Sequence, residues 1–213
     1  MADETAPPQF EERHDLMIGL GYFAIIGCGV LALSILIADV VVPDHDWIAD
    51  TISDLGAGEY EFIVDIGIYV FSASLLATAL LAAHVHLGGW RWSAGLTGLA
   101  FLALIVFLVG ARNEYGDQDQ DGVVIHIYLV YALGVVMALI PWLMSDGASR
   151  AGEGYGRALI WLSLIWTVSA PIFFFLPTSI DGIYERYLGL IAFAVVGTLA
   201  ILFIRRGRQL RDG

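Results

Sequence analysis

Three ionisable side chains lie in or beside apolar stretches of the sequence, where they could do acid–base chemistry. Asp54 belongs to the segment TISDLGAGEY, Asp65 follows EFIV, and His126 lies within DGVVIHIYLVY. A charged side chain within a membrane helix costs ~2.5–3.5 kcal/mol at the centre and less near the edge, so such a residue should face the protein interior and have a partner. These residues therefore predict a catalytic site in which Asp65 or Asp54 exchanges a proton with His126.

Each of these residues also has a structural interpretation. The spacing of Thr51 and Asp54 is that of a capping box, which starts a helix. Asp65 fits an ion pair with Arg112, His126 or Arg186, which are predicted to lie on the same side of the membrane. His126 fits a hydrogen bond to a neighbouring helix, a proton relay, a general base or a metal ligand. The residues alone leave these alternatives open.

Four further polar residues occupy the same predicted loops and helix ends. We predict that they bind a ligand: Ser53, Arg112, Glu185 and Arg186. Arginine binds carboxylate and phosphate groups through two parallel hydrogen bonds, so Arg112 and Arg186 are expected to hold an anionic group. The alternative for Glu185 and Arg186 is that both extend to water at the membrane surface.

The segment RNEYGDQDQDG contains the start of a calcium-binding loop. Asp117, Asp119 and Asp121 stand at alternate positions and a glycine follows, as in such loops. The glutamate expected at the twelfth position is replaced by Tyr128, so the loop is incomplete. Calcium is the one cofactor that the sequence suggests, and a solvated acidic run is the alternative.

The composition predicts a membrane protein with helices throughout. Hydrophobic residues make up 58% of the 213 positions, whereas soluble domains have about 45–50%. A helix needs about 20 apolar residues to cross a bilayer, and six stretches qualify: residues 16–38, 62–83, 93–111, 123–144, 158–176 and 187–204. We therefore predict an all-α, six-helix antiparallel bundle over residues 16–204, with an acidic tail at 1–15 and a basic tail at 205–213. Small residues such as Gly134 and Ala138 are expected to let its helices approach closely.

The arginines predict the orientation of this bundle. All ten basic residues are arginine, and eight of them fall in the two tails and in the loops after the second and fourth predicted spans. Basic loops stay on the cytoplasmic side. The prediction is therefore a multi-pass plasma-membrane protein with both termini in the cytoplasm and with most of its acidic residues outside.

The charge balance restricts the environment and the partners. The net charge is −12, with 22 acidic residues. Such a surface suits a salt-rich medium that screens its self-repulsion, which predicts a halophilic archaeon as the source. The lack of a basic patch to hold phosphates argues against nucleic acid and against anionic lipid headgroups as partners. Membrane lipid and a small or lipidic ligand remain, and the oligomeric state is open.

Taken together, the motifs on the predicted outer side resemble a family of membrane proteins, domain-of-unknown-function family 998. A Ser-Asp-Leu-Gly turn before the second helix is matched by residues 53–56, and a histidine near the start of the fourth helix is matched by His126. A Gly-x-x-x-Arg segment that opens the last helix is matched by Gly182 and Arg186. The resemblance covers nearly the whole chain, and it implies a six-helix membrane fold without implying an activity.

The chain departs from the family pattern at two places. The family often has asparagine where Asp65 stands, and Phe-Pro where this chain has Ala111 and Arg112. Both changes add a charge to the predicted outer side, so a role common to the family could be altered here.

These observations support three hypotheses about function. The first is a membrane protein whose outward-facing polar pocket binds a small or lipidic ligand. Whether it also converts that ligand chemically, as an enzyme would, is left open by the sequence. The second is a transporter coupled to protons or sodium through Asp65 and His126. The third is an accessory or scaffold subunit without catalysis, in which the outer charges form structural ion pairs.

Overall fold

A computed structural model describes residues 12–112 and 125–213. The described residues form one short helix and six long ones, and no strand occurs among them. In chain order these are α1 (His14–Val41), α2 (Ile52–Leu55), α3 (Glu61–His84), α4 (Gly89–Ala111), α5 (Ile125–Ala151), α6 (Glu153–Phe173) and α7 (Asp181–Asp212).

The six long helices confirm the prediction of a helical membrane protein. Each is apolar and long enough to cross a bilayer, with 21 to 32 residues against the roughly 20 that a crossing requires. The predicted limits are less accurate than the number of helices, since α7 begins at Asp181 and continues to Asp212, past both ends of the predicted span 187–204. Hydropathy detects only the apolar part of a helix, whereas its backbone hydrogen bonds continue through polar turns at either end.

The long helices pack in a closed ring. Each contacts the next one along the chain, from α1 to α3 and onward to α7, and α7 returns to pack against α1. Weaker contacts of α7 with α3 and α5 cross the ring. Because every long helix has two ring neighbours, each also has a face towards the centre of the bundle.

The contact between α1 and α3 depends on glycine and serine at matching positions. A Cβ atom added to Gly27 would lie 1.7 Å from Oγ of Ser74, and one added to Gly67 would lie 2.0 Å from Oγ of Ser34. Each glycine thus faces a serine of the other helix, and neither glycine leaves room for a side chain. Such small residues let membrane helices approach closely, which replaces the hydrophobic driving force that lipid does not supply.

At Gly134, the absence of a side chain is not what brings two helices together. A Cβ atom on Gly134 would have no neighbour within 4 Å, so no helix packs against that side of the residue. Instead, the carbonyl of Gly134 accepts a hydrogen bond from Nε1 of Trp166 at 2.8 Å, and the carbonyl of Ala138 accepts one from Oγ of Ser163 at 2.7 Å. These small residues therefore give polar side chains of α6 access to the α5 backbone.

The short helix α2 lies between α1 and α3 and is anchored by an apolar side chain. Leu55 is 2% exposed and clusters with Ile35 and Ala38 of α1 and with Val64 of α3. This cluster fixes α2 against the end of α1 and the start of α3. We call this end of the bundle, which also includes the starts of α5 and α7, the site end.

Candidate functional site

The segment that begins α2 is held by a capping box, as the spacing of Thr51 and Asp54 predicts. The Asp54 backbone N–H donates to Oγ1 of Thr51 at 3.0 Å, and the Thr51 backbone N–H donates to Oδ2 of Asp54 at 2.7 Å. The Thr51 hydroxyl also donates to that carboxylate, at 2.8 Å. Asp54 thus stabilises the start of α2, and its reciprocal bonds fix the backbone that carries the next polar residue, Ser53.

Ser53 contacts His126 from the start of α5. Its Oγ lies 3.2 Å from Nε2 of His126, and the other ring nitrogen, Nδ1, lies 2.8 Å from the carbonyl oxygen of Arg112. The residue His126 is 6% exposed. Both of its nitrogens are therefore engaged, so neither Asp54 nor Asp65 makes the contact with His126 that we expected. The sequence prediction is wrong in this respect, because the turn presents the hydroxyl of Ser53 to the imidazole while the carboxylate of Asp54 turns back to Thr51.

The start of α7 is tied to the same turn and to α1 by adjacent charged residues. The Ile52 backbone N–H donates to Oε2 of Glu185 at 2.5 Å. Next to it, Nη2 of Arg186 donates to Oδ1 of Asp39 at 2.5 Å, and Nη1 donates to the carbonyls of Asp50 and Gly182 at 2.9 and 3.0 Å. Both Nη atoms of Arg186 thus have protein partners, so its main contacts are structural.

A histidine that the sequence analysis did not select completes this arrangement. His45 is 3% exposed at its side chain, and its Nε2 lies 3.1 Å from Asp39 and 3.2 Å from Nη2 of Arg186. Its Nδ1 lies 3.4 Å from Oδ2 of Asp50. The available signal was the position of this histidine between two acidic residues in the loop after the first apolar stretch. The acidic sequence of that loop is typical of a solvent-exposed segment. His45 becomes buried only because the loop folds back over the bundle.

The loop and the start of α7 also touch through their backbones. A Cβ atom added to Gly182 would lie 2.1 Å from the carbonyl oxygen of Asp50. Immediately beyond it, the Ile183 N–H donates to the carbonyl of Ile48 at 3.0 Å. Glycine at position 182 therefore permits this approach, which gives a physical reason for the Gly-x-x-x-Arg segment.

A cavity of about 610 Å³ lies beneath these contacts, and all six long helices line it. Its volume is within the range of roughly 300–1,000 Å³ found for sites that bind small molecules. Apart from tyrosine and tryptophan, six polar or charged side chains belong to its wall, and we call them the polar rim: Asp39, Ser53, Asp65, His126, Glu185 and Arg186. Each of them lies at the site end of its helix or in α2.

The rest of the cavity wall is mostly apolar. It includes Leu31, Phe71, Leu133, Trp166 and Phe193. Phe193 follows the last residue of the polar rim by seven positions on α7, which corresponds to about 10 Å along a helix. The cavity is therefore polar at one end and hydrocarbon-like below.

Asp65 occupies the polar rim without a hydrogen-bond or ion-pair partner among the described residues. It is partly buried, and it makes no hydrogen bond or ion pair with any residue in the described ranges 12–112 and 125–213. The charged group that acts on it is Glu61, a like charge one helical turn earlier. The expected ion pairs of Asp65 with Arg112, His126 or Arg186 are therefore not formed, because those residues contact other groups.

Two of the other predicted residues lie differently from what we expected. Arg112 is exposed and is absent from the cavity wall, although its carbonyl binds His126. Asp54 is likewise absent from the cavity wall. The candidate calcium ligands Asp117, Asp119 and Asp121 lie outside the described residues. Within the described part of the chain, no group of three or more histidine, cysteine, aspartate or glutamate side chains is placed to hold a metal ion.

The fold and the site together define a class: a multi-pass membrane protein of six apolar helices with a network of polar residues at one end. Within that class, the chain belongs to the family described as Protein of unknown function (DUF998), whose profile matches residues 25–202. The match includes every residue of the polar rim and confirms the resemblance read from the sequence motifs. No curated protein and no solved structure matches the chain.

Proposed function

We propose that the central cavity binds an amphipathic molecule taken from the membrane. The observation that carries this proposal is the division of one cavity wall into a polar rim and an apolar remainder. A molecule with a polar group and a hydrocarbon chain matches both parts, because burying the chain removes apolar surface from water while the polar group keeps hydrogen-bond partners.

The charges of the polar rim favour an uncharged or cationic polar group. Asp39, Asp65 and Glu185 carry carboxylates, and Arg186 is the one arginine of the described cavity wall. Since Asp39 already pairs with Arg186, an anionic ligand would meet more negative than positive charge. The sequence-based proposal that Arg112 and Arg186 together hold an anionic group is therefore replaced by this one.

The orientation follows from the arginines. We place both termini in the cytoplasm and the site end outside, in an antiparallel bundle within the plasma membrane, because eight of the ten arginines would then lie on the cytoplasmic side. The ligand would accordingly enter from the outer leaflet or from the external medium. The net charge of −12 suits a salt-rich exterior, as in a halophilic archaeon.

Filling the cavity tests the proposal. Gly189 lines the cavity and its Cβ position has no neighbour within 4 Å, whereas Gly197 has equal space on the same helix and does not line the cavity. Gly189→Leu should weaken the binding of a fluorescent long-chain amine or alcohol to the purified protein at least tenfold. Gly197→Leu, the matched control, should leave binding and thermal stability unchanged.

The outcomes separate the three hypotheses. Equal binding by the wild type and by Gly189→Leu, or no binding by either, contradicts the proposed function. Uptake into proteoliposomes that follows a pH or sodium gradient would favour the transporter. Absence of both binding and uptake would favour a scaffold whose polar end is purely structural.

A further inference from the structure

The contact between Ser53 and His126 has the geometry of a serine nucleophile with its base. The carbonyl oxygen of Arg112 can only accept a hydrogen bond, so Nδ1 of His126, 2.8 Å away, must carry a proton. In the neutral imidazole, Nε2 is then the acceptor, and the Ser53 hydroxyl at 3.2 Å is placed to donate to it. A serine activated in this way by a histidine whose tautomer is fixed by a third group is the arrangement of nucleophilic catalysis.

We propose that Ser53 is a nucleophile, that His126 is its general base, and that the cavity takes an amphipathic carboxylic ester as substrate. This inference rests on the proposed function, because the apolar wall has to hold the hydrocarbon part of the ester. It differs from the acid–base pair expected from the sequence, since the reactive group is a hydroxyl and not a carboxylate.

The surroundings of Ser53 hold it rigidly enough for this role. The capping box fixes the backbone of α2, Leu55 is buried two residues later, and Glu185 accepts the N–H of the preceding residue, Ile52. Ser53 and His126 both line the cavity. A rigid, positioned nucleophile reduces the entropy that the reaction must otherwise lose.

The reaction is a balanced ester hydrolysis. Oγ of Ser53 bonds to the ester carbonyl carbon while its proton passes to Nε2 of His126. The bond from that carbon to the alcohol oxygen then breaks, and the alcohol leaves with the proton. Water attacks the acyl group on Ser53, gives one proton through His126 back to Oγ, and releases the carboxylic acid.

A positive charge on the same wall suits the negative charge that forms on the carbonyl oxygen during this attack. Arg186 lines the cavity. Its two Nη atoms are held by protein groups, so the side chain is fixed in place. A fixed positive charge stabilises such charge without reorganisation during the reaction.

The chain contains a second serine–histidine pair that serves as a control. Oγ of Ser93 lies 2.9 Å from Nε2 of His86, near the start of α4. His86 is exposed, its Nδ1 has no hydrogen-bond partner within residues 12–112 and 125–213, and neither residue lines the central cavity. The pair therefore has the hydroxyl–imidazole contact without the fixed tautomer and without the cavity.

An alkyl fluorophosphonate tests the proposal, because it forms an oxygen–phosphorus bond with an activated serine and releases fluoride. Peptide mass spectrometry of the purified protein should locate the label on Ser53. Ser53→Ala should abolish labelling and the hydrolysis of a long-chain p-nitrophenyl ester, and Ser93→Ala should change neither. His126→Gln should slow labelling about 10²–10⁴-fold, the usual contribution of a general base.

The inference is overturned if the wild-type protein binds the fluorescent amphiphile but is not labelled, or if Ser53→Ala is labelled as fast as the wild type. Either outcome leaves the proposed binding function intact, because binding of the amphiphile is measured separately from labelling. If the wild type neither binds the amphiphile nor reacts, both the proposed function and this inference fail.

Discussion

Nη2 of Arg186 lies 2.5 Å from Oδ1 of Asp39, and this ion pair joins the start of α7 to the end of α1 across 147 positions of sequence. Each of the two side chains is 14% exposed. The same guanidinium binds the carbonyl of Asp50 in the intervening loop. One arginine therefore holds two helices and the loop that covers the bundle at its site end.

Removing either partner of this pair should destabilise the protein. Asp39→Ala and Arg186→Met should each lower the free energy of unfolding by about 3 kcal/mol, because each leaves a charge that is largely withdrawn from water without its partner. The double variant should lose less than the sum of the two single losses. Unfolding of the purified variants in one detergent measures these differences.

The pair between Arg91 and Asp146 is the matched control. Its side chains are 26% and 59% exposed, so water already solvates both charges. Asp146→Asn should lower the free energy of unfolding by less than about 1 kcal/mol. Equal losses for Asp39→Ala and Asp146→Asn would contradict a special role of the site-end pair.

Replacing Asp65 should have the opposite effect. Its carboxylate has no hydrogen-bond or ion-pair partner among the described residues, and a like charge, Glu61, lies one turn away. Asp65→Asn keeps the shape and removes the unpaired charge, so it should stabilise the protein by about 1 kcal/mol. Thermal unfolding of both variants measures this: the melting temperature should rise in Asp65→Asn and fall in Asp39→Asn, relative to the wild type. A loss of stability in Asp65→Asn would instead reveal a structural ion pair.

A methyl group at position 182 should separate α7 from the covering loop. Its Cβ would lie 2.1 Å from the Asp50 carbonyl oxygen, and backbone atoms cannot rotate away as a flexible side chain can. Gly182→Ala should therefore lower the free energy of unfolding by about 1–3 kcal/mol. Gly197→Ala, on the same helix with no neighbour within 4 Å, should be neutral or slightly stabilising. The two melting temperatures test this, and equal values would show that the close approach is not rigid.

An increase in side-chain volume at Gly27 of α1 should be compensated by a decrease at Ser74 of α3. Gly27→Ala places a Cβ atom 1.7 Å from Oγ of Ser74 and should destabilise the protein by about 1–3 kcal/mol. Adding Ser74→Gly removes that atom and should recover part of the loss. Gly29→Ala, where the added atom meets nothing within 4 Å, is the control. A double variant less stable than Gly27→Ala alone would show that the two residues do not share one contact.

The sequence predicted the number of long helices and the family, and it selected much of the polar rim. Asp65, His126 and Arg186 all line the cavity, and they could be selected because a charge or imidazole near an apolar stretch is costly unless it faces the protein interior. The capping box of Thr51 and Asp54 was also predictable, because its partners are three residues apart. His45 was missed, because nothing in a short polar loop indicates that the loop folds back over the bundle.

What the sequence determined by itself is therefore local: apolar length, which decides how many segments can cross a membrane, and short spacings that begin helices. Only the tertiary structure decided that His126 contacts Ser53 and not an aspartate and that Arg186 binds Asp39. It also decided that Asp65 has no hydrogen-bond or ion-pair partner within residues 12–112 and 125–213. These outcomes depend on how each helix is rotated and packed in the ring. Hydrogen bonds are lost when the donor and acceptor are an ångström too far apart, whereas hydropathy sums over a whole segment and does not depend on its neighbours.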